Sequence, residues 1–340
     1  NTTGAYAGAR AQLLLNEDQV WEEQLDIAPD RPFQTTLSIP DGSMATDLTL
    51  NLFDEKGGLL MTYQPTAKKG SEMPEKVKPP LPPDQITSIE ELYFTGLRLN
   101  QFYNAQLDPM PYYEEALRRD PGNYLVNTQL GILGCKGFRW ALAEQRLRTA
   151  LDRSTYNHTR PRDGDAWYYM GVTCRAQGKT EEAYDAFYRA SWDLAWTAAS
   201  YYQLAEMDCL TGNYTSALEH ATRSIDLNGE NLKARNLKAI VLRKLGNRVE
   251  ARELLASVSE KDPLDLISRY EMIIHGEDPG EFKTIVLDEV ETLLELAAFY
   301  SQIGAYQEAI EVLTVLDRSI HPDGSNYPMV YYYLAYFHAR

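Results

Sequence analysis

The apolar positions change period along the chain. Up to about residue 64 they fall in short alternating runs: ARAQLLL, QVWEEQLDI, FQTTLSI, TDLTLNLF and LLMTY. Alternation rich in Leu, Thr and Ile predicts half-buried strands. Asn16-Glu17-Asp18, Ala28-Pro29-Asp30, Pro40-Asp41-Gly42 and Gly57-Gly58 punctuate the runs as turns. Five strands over residues 1–64 predict a small antiparallel β-sandwich-like domain. An immunoglobulin-like sandwich uses about seven strands, so this domain is expected to be minimal or the truncated end of a larger one. Pro65, Pro74, Pro79, Pro80, Pro82 and Pro83 then crowd residues 65–86. Proline fixes φ and lacks an N–H, so an extended, semi-rigid linker is expected there. Thr87-Ser88 followed by Glu90 and Glu91 predicts a helix start.

From about residue 123 the pattern becomes helical and repeats. The units are QLGILGCKGFRWALAEQRLRTAL, YMGVTCRAQGKTEEAYDAFYRA, QLAEMDCLTGNYTSALEHATRSI, LKAIVLRKLGNRVEARELLASV and ELAAFYSQIGAYQEAIEVLTVL. Each carries a small residue in its first helix: Gly131, Gly171, Ala205, Ala239 and Ala297. A second small residue follows in the second helix: Ala143, Ala183, Ala217, Ala251 and Ala309. Small side chains let two antiparallel helices approach closely. Gly178, Gly212, Gly246 and Gly304 stand where a left-handed residue would end the first helix. Thr180 is expected to cap the second helix of its unit, with Glu181 and Glu182 near the positive end. Phe187, Ala190, Leu255, Val258, Leu313 and Leu316 supply the apolar stripe of the second helices.

This spacing, with Trp167, Met170, Gly171, Ala183, Phe187 and Ala190 as the best single match, resembles the tetratricopeptide repeat family over roughly two-thirds of the chain. The resemblance implies a mainly α, right-handed α-α superhelix over residues 87–340, in about six to seven irregular repeats. The irregularities are legible. DRSTYNHTRPRDGD is an insertion before Gly171, and residues 87–118 form a degenerate first repeat. A shortened repeat is expected between Ala239 and Ala297, with helices near Leu264–Ile274 and Phe282–Val286. The segment YPMVYYYLAYFHAR resembles a first helix without its partner, so the chain is expected to continue past Arg340. A β-domain end, a proline-rich link, ELYFTGLRLNQFYN and irregular repeats also resemble one bacterial multidomain family. That resemblance implies an upstream galactose-mutarotase-like β-domain and a link to carbohydrate.

Composition narrows the chemistry. The 340 residues carry a formal charge of −16, which disfavours nucleic acid and anionic membranes as partners. No apolar run reaches the ~18 residues of a membrane span. The three scattered cysteines and the lack of a basic-then-apolar leader set a cytoplasmic expectation. The five histidines include no i, i+4 pair, and no glycine-rich phosphate loop is present. Neither a cofactor, a metal nor a catalytic constellation is expected. Cys135, Cys174 and Cys209 fall on three successive first helices, too far apart to converge on zinc, and are expected to pack the core.

The candidate site follows from the resemblance, because in that family the first helices line the inner surface. Carried onto this sequence, the inner positions include Tyr168, Arg175, Tyr202, Lys233, Asn236, Arg243 and Lys244, with Thr128, Ile132, Asp165, Val172, Ala199, Glu206 and Ile240 beside them. Tyrosine offers a rigid apolar face with a polar tip; simple packing between repeats is the alternative. Lys233, Arg235, Lys238, Arg243, Lys244, Arg248 and Arg252 crowd one repeat of an acidic chain. They read as a receptor for an acidic peptide or carboxylate, or as partners of neighbouring acidic helices. Lys233 and Asn236 fit the carboxylate clamp of some chaperone-binding relatives, but Leu237 stands where that clamp wants a base. Trp192, Trp196, Tyr201 and Tyr202 are expected in the core, or else as a sugar-stacking platform. The reading is a non-catalytic scaffold for a protein or peptide partner; the alternative is an accessory module of a carbohydrate-active or carbohydrate-binding protein.

Overall fold

Local turn chemistry builds the amino-terminal sheet. In the computed structural model, which describes residues 2, 4–29, 31–67, 78–102, 105–286, 290–314 and 328–340, β1 (Tyr6–Leu15) and β2 (Asp18–Ile27) form a hairpin with Leu15 opposite Asp18. Asn16 and Glu17 span it with φ of 49° and 75°, the double positive φ of a type I′ turn, whose twist matches that of the strands. β3 (Leu48–Phe53) pairs with β1, and β4 (Leu59–Tyr63) with β3. Asp54 closes the β3–β4 turn by accepting from the amides of Lys56 at 2.9 Å and Gly58 at 2.6 Å. The order is β2-β1-β3-β4, all antiparallel. Ala9, Ala11, Leu25 and Ile27 are buried on one face, under Tyr6, Trp21 and Leu52.

Four of the five expected strands are present, and they make one sheet rather than two facing sheets. The fifth, Phe33–Ile39, forms no strand. Pro32 and Pro40 bracket it and remove ladder donors at both ends. It contributes side chains instead. Phe33 stacks on Trp21 at 6.4 Å, and Phe33 and Leu37 line a cavity of about 670 Å³ with Ala11, Leu25 and Ile27.

Helices fill the rest of the described chain: α1 (Ile89–Gln101), α2 (Met110–Arg119), α3 (Tyr124–Lys136), α4 (Trp140–Thr155), α5 (Asp165–Ala176), α6 (Thr180–Ala190), α7 (Leu194–Leu210), α8 (Tyr214–Leu227), α9 (Leu232–Lys244), α10 (Arg248–Lys261), α11 (Leu266–Ile274), α12 (Gly280–Val286), α13 (Val290–Gln302), α14 (Tyr306–Thr314) and α15 (Pro328–His338). The chain divides into two compact units, Asn1–Val77 with Ala256–Ser268, and Lys78–Leu255 with Arg269–Arg340.

In the second unit, α1–α2, α3–α4, α5–α6, α7–α8 and α13–α14 are packed hairpins, and α4–α5, α6–α7 and α8–α9 join successive ones. The small residues act as expected. A Cβ on Gly131 would stand 2.5 Å from Leu147, and one on Gly171 2.6 Å from the Phe187 ring. Leu147 and Phe187 are fully buried at those contacts. Gly96 against Tyr113 makes the same contact in α1–α2. The glycine turns also hold: Gly178, Gly212, Gly246 and Gly304 all have φ between 74° and 87°. Phe138 occupies the same place in the α3–α4 turn at φ 55°.

Helix starts differ more from one hairpin to the next. Ser88 caps α1 by accepting from the Glu91 amide at 3.3 Å. Thr180, expected as a cap, is instead the first residue of α6, and Lys179 stands at the cap position without a side-chain bond. The turn after Gly178 is one residue tighter than a threonine cap needs. In the equivalent α7–α8 turn, Asn213 is the cap and accepts from Ser216. The insertion before Gly171 lengthens α4 and returns through Gly164, whose amide donates to Asp193 at 2.7 Å. α11 and α12 supply the short pair expected between Ala239 and Ala297. Leu316 and His321 lie outside the described residues.

Candidate interaction site at the ends of the first helices

The last turns of α5 and α9 carry three cations, Arg175, Arg243 and Lys244, each held by groups from other helices. Arg175, in the last turn of α5, donates to Glu206 Oε2 at 2.5 Å and Gln203 Oε1 at 2.7 Å on α7. Its other terminal nitrogen donates to the carbonyl of Gln302, at the end of α13, at 3.3 Å. Arg243, in the last turn of α9, donates to both oxygens of Glu271 on α11, at 2.7 and 3.0 Å. It also reaches Glu308 on α14 at 3.0 Å, and Lys244 joins the same Glu308 oxygen. Tyr300 on α13 donates to Glu271 at 2.8 Å. Between these contacts, Gly304 sits against the end of α7, with Leu210 and the Cys209 carbonyl within 4 Å of where its Cβ would stand.

Three cations thus meet three carboxylates, Glu206, Glu271 and Glu308, each of the carboxylates being buried while Arg175 and Lys244 stay partly exposed. The Arg243 side chain is 10 % exposed and Glu271 0 %. Desolvation of that order makes the pairing obligatory, because a buried charge left alone costs several kcal/mol. The protonation behaviour follows. Burial alone would lower the affinity of Arg243 for its proton, but Glu271 and Glu308 outweigh it and hold the guanidinium above its ordinary value. Burial pushes Glu308 up, and the hydrogen bond from Lys244 with the charge of Arg243 more than offsets it, so this carboxyl lies below its ordinary value. Burial, then Glu271, pushes the Tyr300 phenol well up, so it stays a donor.

The other expected positions are placed differently. Tyr168 stacks on Trp196 at 4.3 Å and meets Phe187 edge-on. Burial first, then Glu206, to which its hydroxyl donates a hydrogen bond, pushes the Tyr202 phenol up. Asn236 is fully buried, as is Leu237 beside it. Lys233 is exposed at the start of α9. Arg243 and Lys244 therefore share one carboxylate, Glu308, while Arg175 holds Glu206 and the end of α13, and Tyr168 lies among aromatic rings. The reading of the basic repeat as partner to acidic helices holds for Arg243 and Lys244. Glu271, Tyr300, Gln302 and Glu308 were not singled out by sequence, because nothing local marks them.

The aromatic run is used for packing. Trp196 stacks on Tyr168 and meets Tyr169 edge-on, and Tyr201 stacks on His220 with the Arg223 guanidinium over its ring. Trp192 is the more open ring of the four. The three cysteines are buried thiols, and burial first, then Asp208 and Glu206, pushes Cys209 up to about 12. His220 pairs with Asp208 at 2.7 Å. Among the described residues, no cluster of three or more His, Cys, Asp or Glu has the geometry of a metal site, and no helix is long and apolar enough to cross a membrane.

Comparison with known proteins agrees with the repeat geometry. Residues 139–199 and 210–272 each match the tetratricopeptide repeat, and residues 1–63 match the second domain of YphG-like proteins. Tetratricopeptide repeat protein 7A of Homo sapiens is 31 % identical over 104 residues, which is 31 % of this chain and 11 % of that protein's length. A tetratricopeptide repeat protein from Parabacteroides merdae aligns over 74 % of this chain and 98 % of its own, with 16 % identity and a TM-score of 0.49. Pseudomonas aeruginosa pilF aligns over 74 % and 96 %, with 18 % identity and a TM-score of 0.45. YrrB, described as a tetratricopeptide repeat protein with an unusual peptide-binding site, aligns over 62 % and 93 %, with 18 % identity and a TM-score of 0.40.

Proposed function

We propose that the helical unit, built of tetratricopeptide-type hairpins, is a non-catalytic interaction module that docks a protein or peptide partner through a carboxylate. The observation that supports this most is the occupancy of the cation pair. Arg243 and Lys244 hold a carboxylate that arrives from 64 to 65 residues further along the chain. One terminal guanidinium nitrogen of Arg243, whose fork is otherwise taken by Glu271, and the adjacent ammonium of Lys244 converge on one oxygen of that group, a charge-assisted receptor for a carboxylate. Arg175 extends the receptor toward a backbone carbonyl, and exposed Lys233 extends its positive field. Tyr168, Tyr202 and Asn236 support the wall from within. The partner is an acidic peptide segment, and a cytoplasmic setting suits the three free thiols.

Fluorescence anisotropy of a labelled hexaglutamate peptide tests this, with hexalysine as control. Binding to hexaglutamate alone, weakened by Lys244→Gln in a protein of unchanged circular dichroism, is the expected result. Equal binding of both peptides, or indifference to Lys244→Gln, contradicts it. The accessory reading, with an upstream galactose-mutarotase-like domain and a carbohydrate ligand, rests on the aromatic run and the multidomain resemblance. Since protein neighbours cover most of those rings, a glycan array probed with this chain is expected to be blank.

A further inference from the structure

In a solenoid each repeat packs on its neighbours in the row. The turn between α13 and α14 breaks that rule. Gln302 meets Arg175 across 127 positions of sequence, and Glu308 meets Arg243 and Lys244 across 65 and 64. Gly304, between them, lies on Leu210 at the end of α7. One turn of chain therefore caps the ends of three first helices, α5, α7 and α9. Stacking of α13 does not require this, since Tyr300 already joins α13 to α11 through Glu271 and the Tyr270 ring.

We propose that the α13–α14 turn is an intramolecular occupant of the carboxylate site, with Glu308 standing where the partner's carboxylate binds, so that the module is self-inhibited until a stronger acidic ligand displaces it. The inference rests on the carboxylate reading above and adds its regulation.

The energetics of exchange favour a displaceable contact. When Glu308 leaves, Arg243 keeps both of its bonds to Glu271 and is not orphaned. Lys244 is 26 % exposed and can rehydrate. An incoming carboxylate restores the bonds that were lost, so displacement exchanges like for like rather than stranding a buried charge. The contacts holding the turn to α5 and α9 are polar, a backbone carbonyl and one carboxylate; Gly304 approaches Leu210 of α7, and Ile303 and Ala305 beside it are buried. Affinity for an external ligand is then reduced by the fraction of molecules in which the site is open.

Three proteins decide the matter: wild type, Glu308→Gln, and Glu308→Gln with Lys244→Gln. Each is titrated with labelled hexaglutamate, and hydrogen exchange is followed at the amides of residues 302–308. The expected result is that Glu308→Gln binds about tenfold more tightly than wild type because the competent fraction rises, and that the turn exchanges faster. The added Lys244→Gln removes the gain. If hexaglutamate binds wild type and Glu308→Gln equally and the added Lys244→Gln weakens it, the carboxylate reading stands and self-occupancy is overturned. If the peptide binds none of the three, the carboxylate reading falls. Unchanged exchange at the turn in Glu308→Gln then overturns the latch as well, whereas faster exchange leaves it as a structural one.

Discussion

The molecule carries two networks of Arg, Lys and Glu built in opposite surroundings. On the second helices, Arg148 bridges Glu144 and Glu182, and Lys179 joins Glu144 at 2.6 Å. This outer network links residues 34 or 35 positions apart, one repeat, and Arg148 and Glu182 are 51 % and 53 % exposed. The inner contacts of Arg243 and Lys244 link residues up to 65 positions apart, and Arg243, Glu271 and Glu308 are 10 %, 0 % and 9 % exposed. The same side-chain chemistry therefore does different things. Outside, it is solvated trim that follows the repeat. Inside, it ties distant repeats together and holds a carboxylate receptor in a defined state.

Breaking the inner pair should give the largest effect. Arg243→Ala strands Glu271, fully buried, and is expected to cost about 3–5 kcal/mol in urea unfolding. Glu308→Gln is milder, because Arg243 keeps Glu271; a loss of about 1–2 kcal/mol is expected. Acid acts in the same direction. Glu308 is surrounded by Lys244 and Arg243, with Glu271 and Tyr300 behind them, and its carboxyl lies below the ordinary value of 4.5. A group lowered on folding stabilises the folded state above its unfolded value and loses that contribution as pH falls through the folded one. The Glu308 contribution is thus complete at neutral pH and decays below about pH 4.5, measurable as a thermal midpoint that falls with pH less steeply in Glu308→Gln. Glu144 is held at about 2, by Lys179 first, with burial opposing and Arg148 and Gln177 assisting. Its contribution should persist to correspondingly lower pH. The smallest effect belongs to the outer pair: Arg148→Ala is expected to cost about 0.2–1 kcal/mol, vanishing in about 0.5 M salt as screening takes over.

The contrast also marks what a sequence can show. Gly178, Gly212, Gly246 and Gly304 announce their turns because a left-handed residue is a local demand, and Gly171 announces Phe187 because the contact lies inside one hairpin. The short α11 and α12 pair was legible from spacing alone. Phe138 hides its turn by taking positive φ without glycine, next to Trp140, whose ring it meets edge-on at 5.7 Å. The run Phe33–Ile39 has strand composition, yet the prolines at its ends deny it partners. Arg243 and Lys244 stood out as a basic cluster. Their partners did not, because which distant repeat returns to α9 depends on how the hairpins accumulate curvature, and no single repeat encodes that.

A double-mutant cycle on Lys244 and Glu308, by urea unfolding at low and high salt, measures whether this pair differs from the exposed one. A coupling of at least about 1 kcal/mol that survives about 0.5 M salt is expected, as a part-buried pair should show. A coupling near zero, or one that salt removes as completely as it removes that of Arg148 and Glu182, would contradict it.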